Sequence, residues 1–256
     1  MSWKEIFEEN QEILKSSDSI KNKIEELINK KIDLNAKDDN GDTMLLYFHK
    51  IENFEIFNFL MDKGADVNVG NNFGFTLAHL AAIRSDLKLI NILLKKNVNL
   101  NIKNFYNHTP FIYAVTNLNF ELAQILLKNG ANLNIERTPN ETLLHTVSVT
   151  GCLEIAKMLI DNGVELNEKD NDGNTPLHNA SKFGNLEMIK MLVENGAYLN
   201  SLNNENSKPI NLAKNDKIKN YLSTAKQMID NRKVYPYFWV IVHKHMNRHN
   251  EINFDK

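Results

Sequence analysis

Imidazole side chains are the groups of this chain best suited to acid–base chemistry or metal binding. His79, His145 and His178 occupy one position of a pattern that repeats every 33 residues. Three more imidazoles lie close together near the end of the sequence, at His243, His245 and His249. A metal needs several ligands that converge on one point and further groups that orient them. The sequence offers no such support around the last three histidines, so we expect no metal and no cofactor.

The remaining reactive residue types do not form a catalytic pattern. Cys152 is the only cysteine, which excludes an intrachain disulfide and is typical of a reducing compartment. No neighbour in the sequence would activate its thiol, so we expect an inert surface cysteine. Carboxylate pairs such as Asp38 and Asp39 fall in polar loops. Because no Ser/His/Asp arrangement, phosphate-binding glycine loop or Cys-x-x-Cys pair is present, the sequence predicts that the protein is not an enzyme.

The 33-residue period is the strongest structural signal in the chain. Asparagine recurs at Asn35, Asn68, Asn101, Asn134, Asn167 and Asn200. Leucine recurs at Leu27, Leu60, Leu93, Leu126, Leu159 and Leu192. Threonine recurs at Thr43, Thr76, Thr109, Thr142 and Thr175, and glycine at Gly64, Gly130, Gly163 and Gly196, with Asn97 in the same register. Polar turn residues and apolar core residues repeat together, so the repeating object is a structural unit.

Each unit is predicted to contain two helices. In the unit that begins at residue 170, Leu177 and Ala180 share one face of the first helix. The second helix has apolar residues at helical spacing: Leu186, Ile189, Leu192 and Val193. The recurring threonine suits the N-cap, proline suits the next position at Pro110 and Pro176, and the recurring glycine suits the end of the second helix. Phe48 replaces a small residue of the first helix, so we expect different packing there.

The best-formed unit contains the motif Thr175-Pro176-Leu177-His178-Asn179-Ala180. With the 33-residue period, this motif resembles the ankyrin repeat, and the resemblance extends over residues 20–222. It implies an all-α fold, an ankyrin-repeat solenoid of helix-turn-helix units with hairpin-like loops, capped at both ends. In that family the histidine of the motif hydrogen-bonds loop backbone between units, which favours a structural role over metal or acid–base chemistry.

The repeats set the predicted domain boundaries. Residues 1–37 form an N-terminal cap and half repeat, and residues 38–222 form the repeats. These are the full repeats 38–70, 71–103, 104–136, 137–169 and 170–202, followed by a short sixth at 203–222. Residues 223–256 form a C-terminal helical cap or tail. We expect the repeats to share one continuous core, because a single unit cannot bury its own apolar face.

Both ends carry apolar residues suited to covering the last exposed face. Ser2 and Glu5 are typical of a capping box, followed by an apolar stripe at Trp3, Ile6, Phe7, Ile13 and Leu14. At the other end an amphipathic helix is predicted from Ile218, Tyr221, Leu222, Ala225 and Ile229. Residues 234–246 are rich in aromatic residues. They either fold back over the last repeat or dock a second partner, and the sequence leaves both open.

The resemblance also implies where a partner binds, since ankyrin-repeat proteins usually grip partners with loop tips and the first-helix face. The middle tips are unusual, because Phe73, Phe75, Phe105 and Tyr106 stand where the family has polar residues. Exposed aromatic residues are enriched at interface hot spots, although adjacent tips could instead bury these rings against each other. The predicted partner-binding residues are Phe73, Phe75, Phe105, Tyr106, His108, Tyr113, Arg84, Asn117, Glu141, Lys182 and Phe183.

Composition narrows the classes of partner and compartment. The net charge is −2 with acids and bases interspersed, which gives no reason to expect nucleic acid or a membrane surface. The longest apolar run, 235–242, is far shorter than the roughly 20 residues of a membrane span, and no signal peptide is evident. We therefore expect a cytoplasmic protein. The excess of lysine over arginine indicates an AT-rich genome, and in a pathogen the expected site is the host cytosol.

The predicted function is non-catalytic protein–protein recognition, as a scaffold, adaptor or inhibitor, by a monomer or weak homo-oligomer. Two other classes remain open. In one, the tips or tail mate with another copy to build a self-assembling structure. In the other, the chain is a regulatory subunit of a separate enzyme. A host-directed effector is the form that recognition would take if the source is a pathogen or virus. The identity of the partner does not follow from the sequence.

Overall fold

The computed structural model of this chain describes residues 3, 16–133, 136–138 and 140–234. Helices dominate these residues, which confirms the predicted all-α repeat fold. The chain divides into two compact units, Met1–Thr138 and Pro139–Lys256. The expectation of one continuous core through all repeats stays a prediction.

Between residues 16 and 138, the described part of the first unit forms one leading helix and three helical hairpins. Helix α1 spans Ser17–Asn29. The hairpins pair α2 (Met44–Lys50) with α3 (Phe54–Asp62), α4 (Leu77–Arg84) with α5 (Leu87–Leu94), and α6 (Pro110–Thr116) with α7 (Phe120–Lys128). Strand β1 (Glu136–Thr138) closes the unit.

The described residues of the second unit form two helical hairpins, a 3₁₀ helix and one further α-helix. Strand β2 (Glu141–Thr142) leads into α8 (Leu143–Thr150), which pairs with α9 (Leu153–Asp161), and α10 (Pro176–Phe183) pairs with α11 (Leu186–Glu194). In the short last repeat the first helix shrinks to the 3₁₀ helix Pro209–Leu212. Helix α12 (Asp216–Val234) packs against it.

The residues that recur every 33 positions lie in the core or at the ends of helices. The recurring leucines are all buried, at no more than 2% exposure. Each recurring threonine is an N-cap residue with extended backbone. The recurring glycines after the second helices all have positive φ, and Asn97, in their register, has a φ of 55°. Asparagine tolerates this left-handed conformation better than most side chains, which explains why it replaces glycine there.

Four of the recurring asparagines connect their repeat to the next. The side-chain Oδ1 of Asn35, Asn68, Asn101 and Asn167 accepts a hydrogen bond from a backbone N–H that lies 31 residues further along the chain. The donor and acceptor residues are Asp66 and Asn35 at 2.8 Å, Asn99 and Asn68 at 2.6 Å, Asn132 and Asn101 at 2.7 Å, and Tyr198 and Asn167 at 2.7 Å. Asn101 Nδ2 also donates to the Gly130 carbonyl at 2.9 Å, at the end of α7. Asn134 lies outside the described residues.

Small side chains set how closely the first helices approach one another. Helix α4 packs closely against α6, and α8 packs closely against α10, with Ala81, Ala114 and Ala180 fully buried between helices. Helix α2 approaches α4 less closely. Its Phe48 and His49 are larger than the alanines at the same positions of α4. The packing of α2 against α4 therefore differs from that of the later first helices, as the sequence predicted from Phe48.

The predicted end caps lie partly outside the described residues. Trp3 is buried, and its ring centroid lies 5.3 Å from that of Tyr47 in α2. At the other end, Ile218, Leu222 and Ala225 are buried along one face of α12. The predicted capping box, the rest of the N-terminal apolar stripe, the Ile229 side chain and residues 235–256 are outside the described part of the chain.

We expect Asn101→Ala to lower the free energy of unfolding by about 1 kcal/mol, because it removes two hydrogen bonds to the following repeat. Asn101→Asp keeps the acceptor and loses only the donor, so its effect is smaller. Urea unfolding followed by circular dichroism measures both. Asn91→Ala is the matched control, since Asn91 is an exposed asparagine on α5. An equal loss in the control and in Asn101→Ala would show that the inter-repeat bonds do not contribute.

Candidate functional site

The predicted site residues fall into four groups in the structure. Phe73, Phe105 and Tyr106 are exposed on loop tips, at 58%, 78% and 61%. Phe75, His108 and Tyr113 are half-buried just behind those tips, and Arg84 and Asn117 are exposed at the far ends of α4 and α6. The last three belong to the second unit, where Glu141 is half-buried and Lys182 and Phe183 are exposed.

Hydrogen bonds hold the two loop tips that carry the aromatic residues in defined turns. In the second repeat the Asn71 side-chain Oδ1 accepts from the backbone N–H groups of Phe73 and Phe75, at 2.9 and 3.0 Å. In the third repeat Asn104 Oδ1 accepts from those of Tyr106 and His108, both at 3.0 Å. Each asparagine also closes its own loop through backbone bonds. The exposed rings are therefore attached to backbone that is already ordered.

Adjacent tips are joined to each other through their backbones. The Phe105 N–H donates to the Phe73 carbonyl at 3.0 Å. Gly74 has a φ of 77°, and a Cβ there would lie 2.9 Å from the Cα of Asn104, so the approach needs a glycine. This contact sets the spacing between the aromatic side chains of the two tips.

The half-buried rings form a cluster that supports the tips. The Phe75 ring centroid lies 6.0 Å from that of Tyr113 and 6.1 Å from that of Tyr106, and the His108 ring lies 5.5 Å from Tyr113. Asn104 Nδ2 donates to the Tyr113 hydroxyl at 2.9 Å. The two interpretations of the aromatic tips thus apply to different residues: Phe75 and Tyr113 pack internally, whereas the rings of Phe73 and Phe105 make no ring contact among the described residues.

Both ring nitrogens of each recurring histidine, at His79, His145 and His178, form hydrogen bonds within the protein. Each Nδ1 accepts from the N-cap threonine N–H, so each Nε2 carries the proton and donates to a carbonyl 29 residues further on. The Nε2-to-carbonyl distances are 2.9 Å for His79 and His108, 3.0 Å for His145 and Asn174, and 3.0 Å for His178 and Ser207. Burial lowers the pKa of His79 and His178. Each of these histidines therefore fixes the end of the tip that follows, directly before the next first helix.

His49 is a buried imidazole that the sequence reasoning missed. Its ring centroid lies 5.5 Å from that of Phe57, and neither ring nitrogen has a hydrogen-bond partner among the described residues. Burial, and then the charge of Arg84, lower its pKa, against the opposing effect of Asp86 and Glu52. A comparison of the repeats could have revealed it. The position that His49 occupies in the first repeat holds smaller residues in the other repeats, at Ala82, Val115, Ser148 and Ser181.

Other candidate chemistry has little support within the described residues. Cys152 is half-exposed at the N-cap of α9, with its Sγ 3.7 Å from a Glu154 carboxylate oxygen. The part of the chain that the structure describes holds no group of three His, Cys, Asp or Glu placed to bind a metal. None of its helices has both the length and the apolar composition needed to cross a bilayer. His243, His245 and His249 are outside the described range.

Comparison with known families agrees with the helical repeats. A family model for ankyrin repeats, in three copies, matches residues 15–104, 50–137 and 111–203. A search of curated proteins found none that matches this chain.

Acid should destabilise the fold through its buried imidazoles. Because burial lowers the pKa of His49, His79 and His178 in the folded chain, the unfolded chain binds more protons below about pH 6.5. The free energy of unfolding therefore falls as the pH drops from 7.5 toward 5, and urea titrations at several pH values measure the slope.

His49→Leu isolates the contribution of the imidazole that lacks partners. Leucine has similar volume and no polar atom to desolvate, so we expect about 1 kcal/mol more stability at pH 7.5 and a shallower loss in acid. A variant with the same pH slope as the wild type would show that His49 does not stay neutral in the folded chain.

Proposed function

This chain belongs to the ankyrin-repeat family, whose repeats generally mediate contacts between proteins, and on that premise we propose that it holds a protein partner without catalysing a reaction. The contact surface is the aromatic tips, defined as Phe73, Phe105 and Tyr106. The first helices that follow those tips extend the surface. A scaffold, an adaptor and an inhibitor all fit this mode of action, since each needs binding alone.

The observation that supports this proposal most is the exposure of large rings on ordered backbone. Water-exposed aromatic side chains gain from burial against a partner, and aromatic residues are frequent hot spots. Binding usually loses free energy to the ordering of loops. Here the Asn71 and Asn104 side chains already order both tips, so that loss is small.

The half-buried residues behind the tips have a positioning role in this proposal. Tyr113 holds Asn104 through its hydroxyl, and Phe75 fills the space between Tyr106 and Tyr113. Arg84 and Asn117 lie at the other end of the first helices, where Asn117 Nδ2 donates to the Ile83 carbonyl at 3.1 Å. Glu141, Lys182 and Phe183 belong to the second unit, and their part in binding stays a prediction.

Replacement of both fully outward rings tests the proposal. We expect the double variant Phe73→Ala, Phe105→Ala to capture at least tenfold less partner than the wild type. The reason is that two hot-spot rings each contribute about 2 kcal/mol or more to binding. Its melting curve stays close to that of the wild type, since both side chains are exposed. Cross-linking capture from the native source, or from host cells for a pathogen, with quantitative mass spectrometry measures the loss.

Tyr198→Ala is the matched control for this experiment. Tyr198 is an aromatic residue of similar exposure, 65%, that lies outside the predicted site. Proteins captured by the wild type and the control but lost with the double variant are the candidate partners. Identical capture by all three proteins would contradict the proposal.

A further inference from the structure

Apart from Arg84, the last residue of α4, the tips and first helices of repeats two and three carry no formally charged side chain. Residues 67–83 and 104–120 contain no Lys, Arg, Asp or Glu. The corresponding parts of the first and fifth repeats contain both acids and lysines, which include Asp38, Asp39, Asp42 and Lys50, and Asp170, Asp172 and Lys182. The neutral stretch therefore coincides with the aromatic tips and not with the repeats in general.

A comparison of equivalent positions shows what replaces the charges. In the first repeat a buried Asp42 pairs with Lys50, with both carboxylate oxygens within 2.8 Å of the ammonium. In the second repeat the same two positions hold Phe75 and Ile83. An ion pair at the base of one tip thus becomes two apolar side chains in the next.

The apolar character continues from the tips to the far end of the first helices. Leu80 and Tyr113 are half-buried on α4 and α6, and Ile83 and Leu118 are exposed, at 39% and 42%. Helix α4 has eight residues, so it extends this strip by about 12 Å beyond the tip. The Asn117 bond to Ile83 joins the two helix ends.

Leu118 follows α6 at that end. It has a φ of 56°, a left-handed conformation shared by the residues at the same position of the other repeats, Glu52, Ser85, Gly151 and Gly184. The conformation therefore belongs to the turn between the two helices of each hairpin. Leu118 contributes to the strip through its exposed apolar side chain.

From these observations we propose that the partner presents an uncharged, apolar segment, which lies along the strip from the aromatic tips to Ile83 and Leu118. This inference rests on the function proposed above. A charged group placed against this strip would lose hydration and find no opposite charge within it. The exposed amides of Asn72 and Asn107 beside the rings supply hydrogen bonds to the backbone of the segment, which needs no charge either.

Selection from a random dodecapeptide library displayed on phage tests the inference with the full chain. Peptides are selected on the wild type and depleted on the Phe73→Ala, Phe105→Ala variant. We expect the enriched peptides to carry several large apolar residues and a net charge close to zero. For a synthetic peptide from this pool, we expect Kd to change less than about twofold between 50 and 500 mM NaCl, because salt screens only charged contacts.

Lys103→Gln is the matched control, because this exposed lysine directly precedes the third tip. If no charge takes part in binding, removal of the Lys103 charge leaves Kd within about twofold of the wild-type value. The inference would be overturned by enriched peptides that are strongly acidic or basic and that bind more weakly as the salt concentration rises. If those peptides still require Phe73 and Phe105, the proposed function stands.

Two other outcomes are equally decisive. A pool in which no peptide depends on Phe73 or Phe105 contradicts the proposed function itself. If sedimentation instead reveals a wild-type dimer that the Phe105→Ala variant does not form, the occupant is a second copy and the inference of an apolar peptide segment is wrong.

Discussion

Hydrogen bonds from the side chains of one repeat to the backbone of the next are the interaction on which this structure depends. Asparagines at the base of four loops accept from an amide of the following repeat. Histidines at the start of three first helices donate to a carbonyl of the following tip. Both side chains reach backbone groups that no helix could satisfy. They fix the separation of neighbouring repeats, and the buried leucines then pack at that separation.

The recognition surface follows from that constraint. His79 ties α4 to the third tip, the Phe105 amide ties the third tip to the second, and Tyr113 braces Asn104 from behind. The rings of Phe73 and Phe105 are left outside this network, so their chemistry can vary without disturbing the repeats. Repeats one and five use polar residues at the same tip positions on the same kind of turn.

Much of the fold was predictable because its causes are local and recur at one spacing. The threonine caps, the positive-φ glycines and the exception at Asn97 all follow from backbone geometry that one residue type satisfies best. The internal packing of Phe75 and Tyr113 was not predictable, since a ring at a tip gives the same sequence signal whether it faces inward or outward. His49 was missed because its lack of hydrogen-bond partners depends on three-dimensional contacts with α3. The 3₁₀ helix at Pro209 shows how the altered signature of the last repeat shortens a helix.

The bonds between repeats also determine how this chain can change length. The side-chain Oδ1 of four recurring asparagines accepts from the repeat that follows, and every recurring leucine is buried. A segment of 33 residues taken out or duplicated in register would bring together the same kinds of surface that were in contact before. Gene duplication can therefore lengthen such a protein by whole modules, while a gain or loss of a few residues inside a hairpin misaligns both of its neighbours.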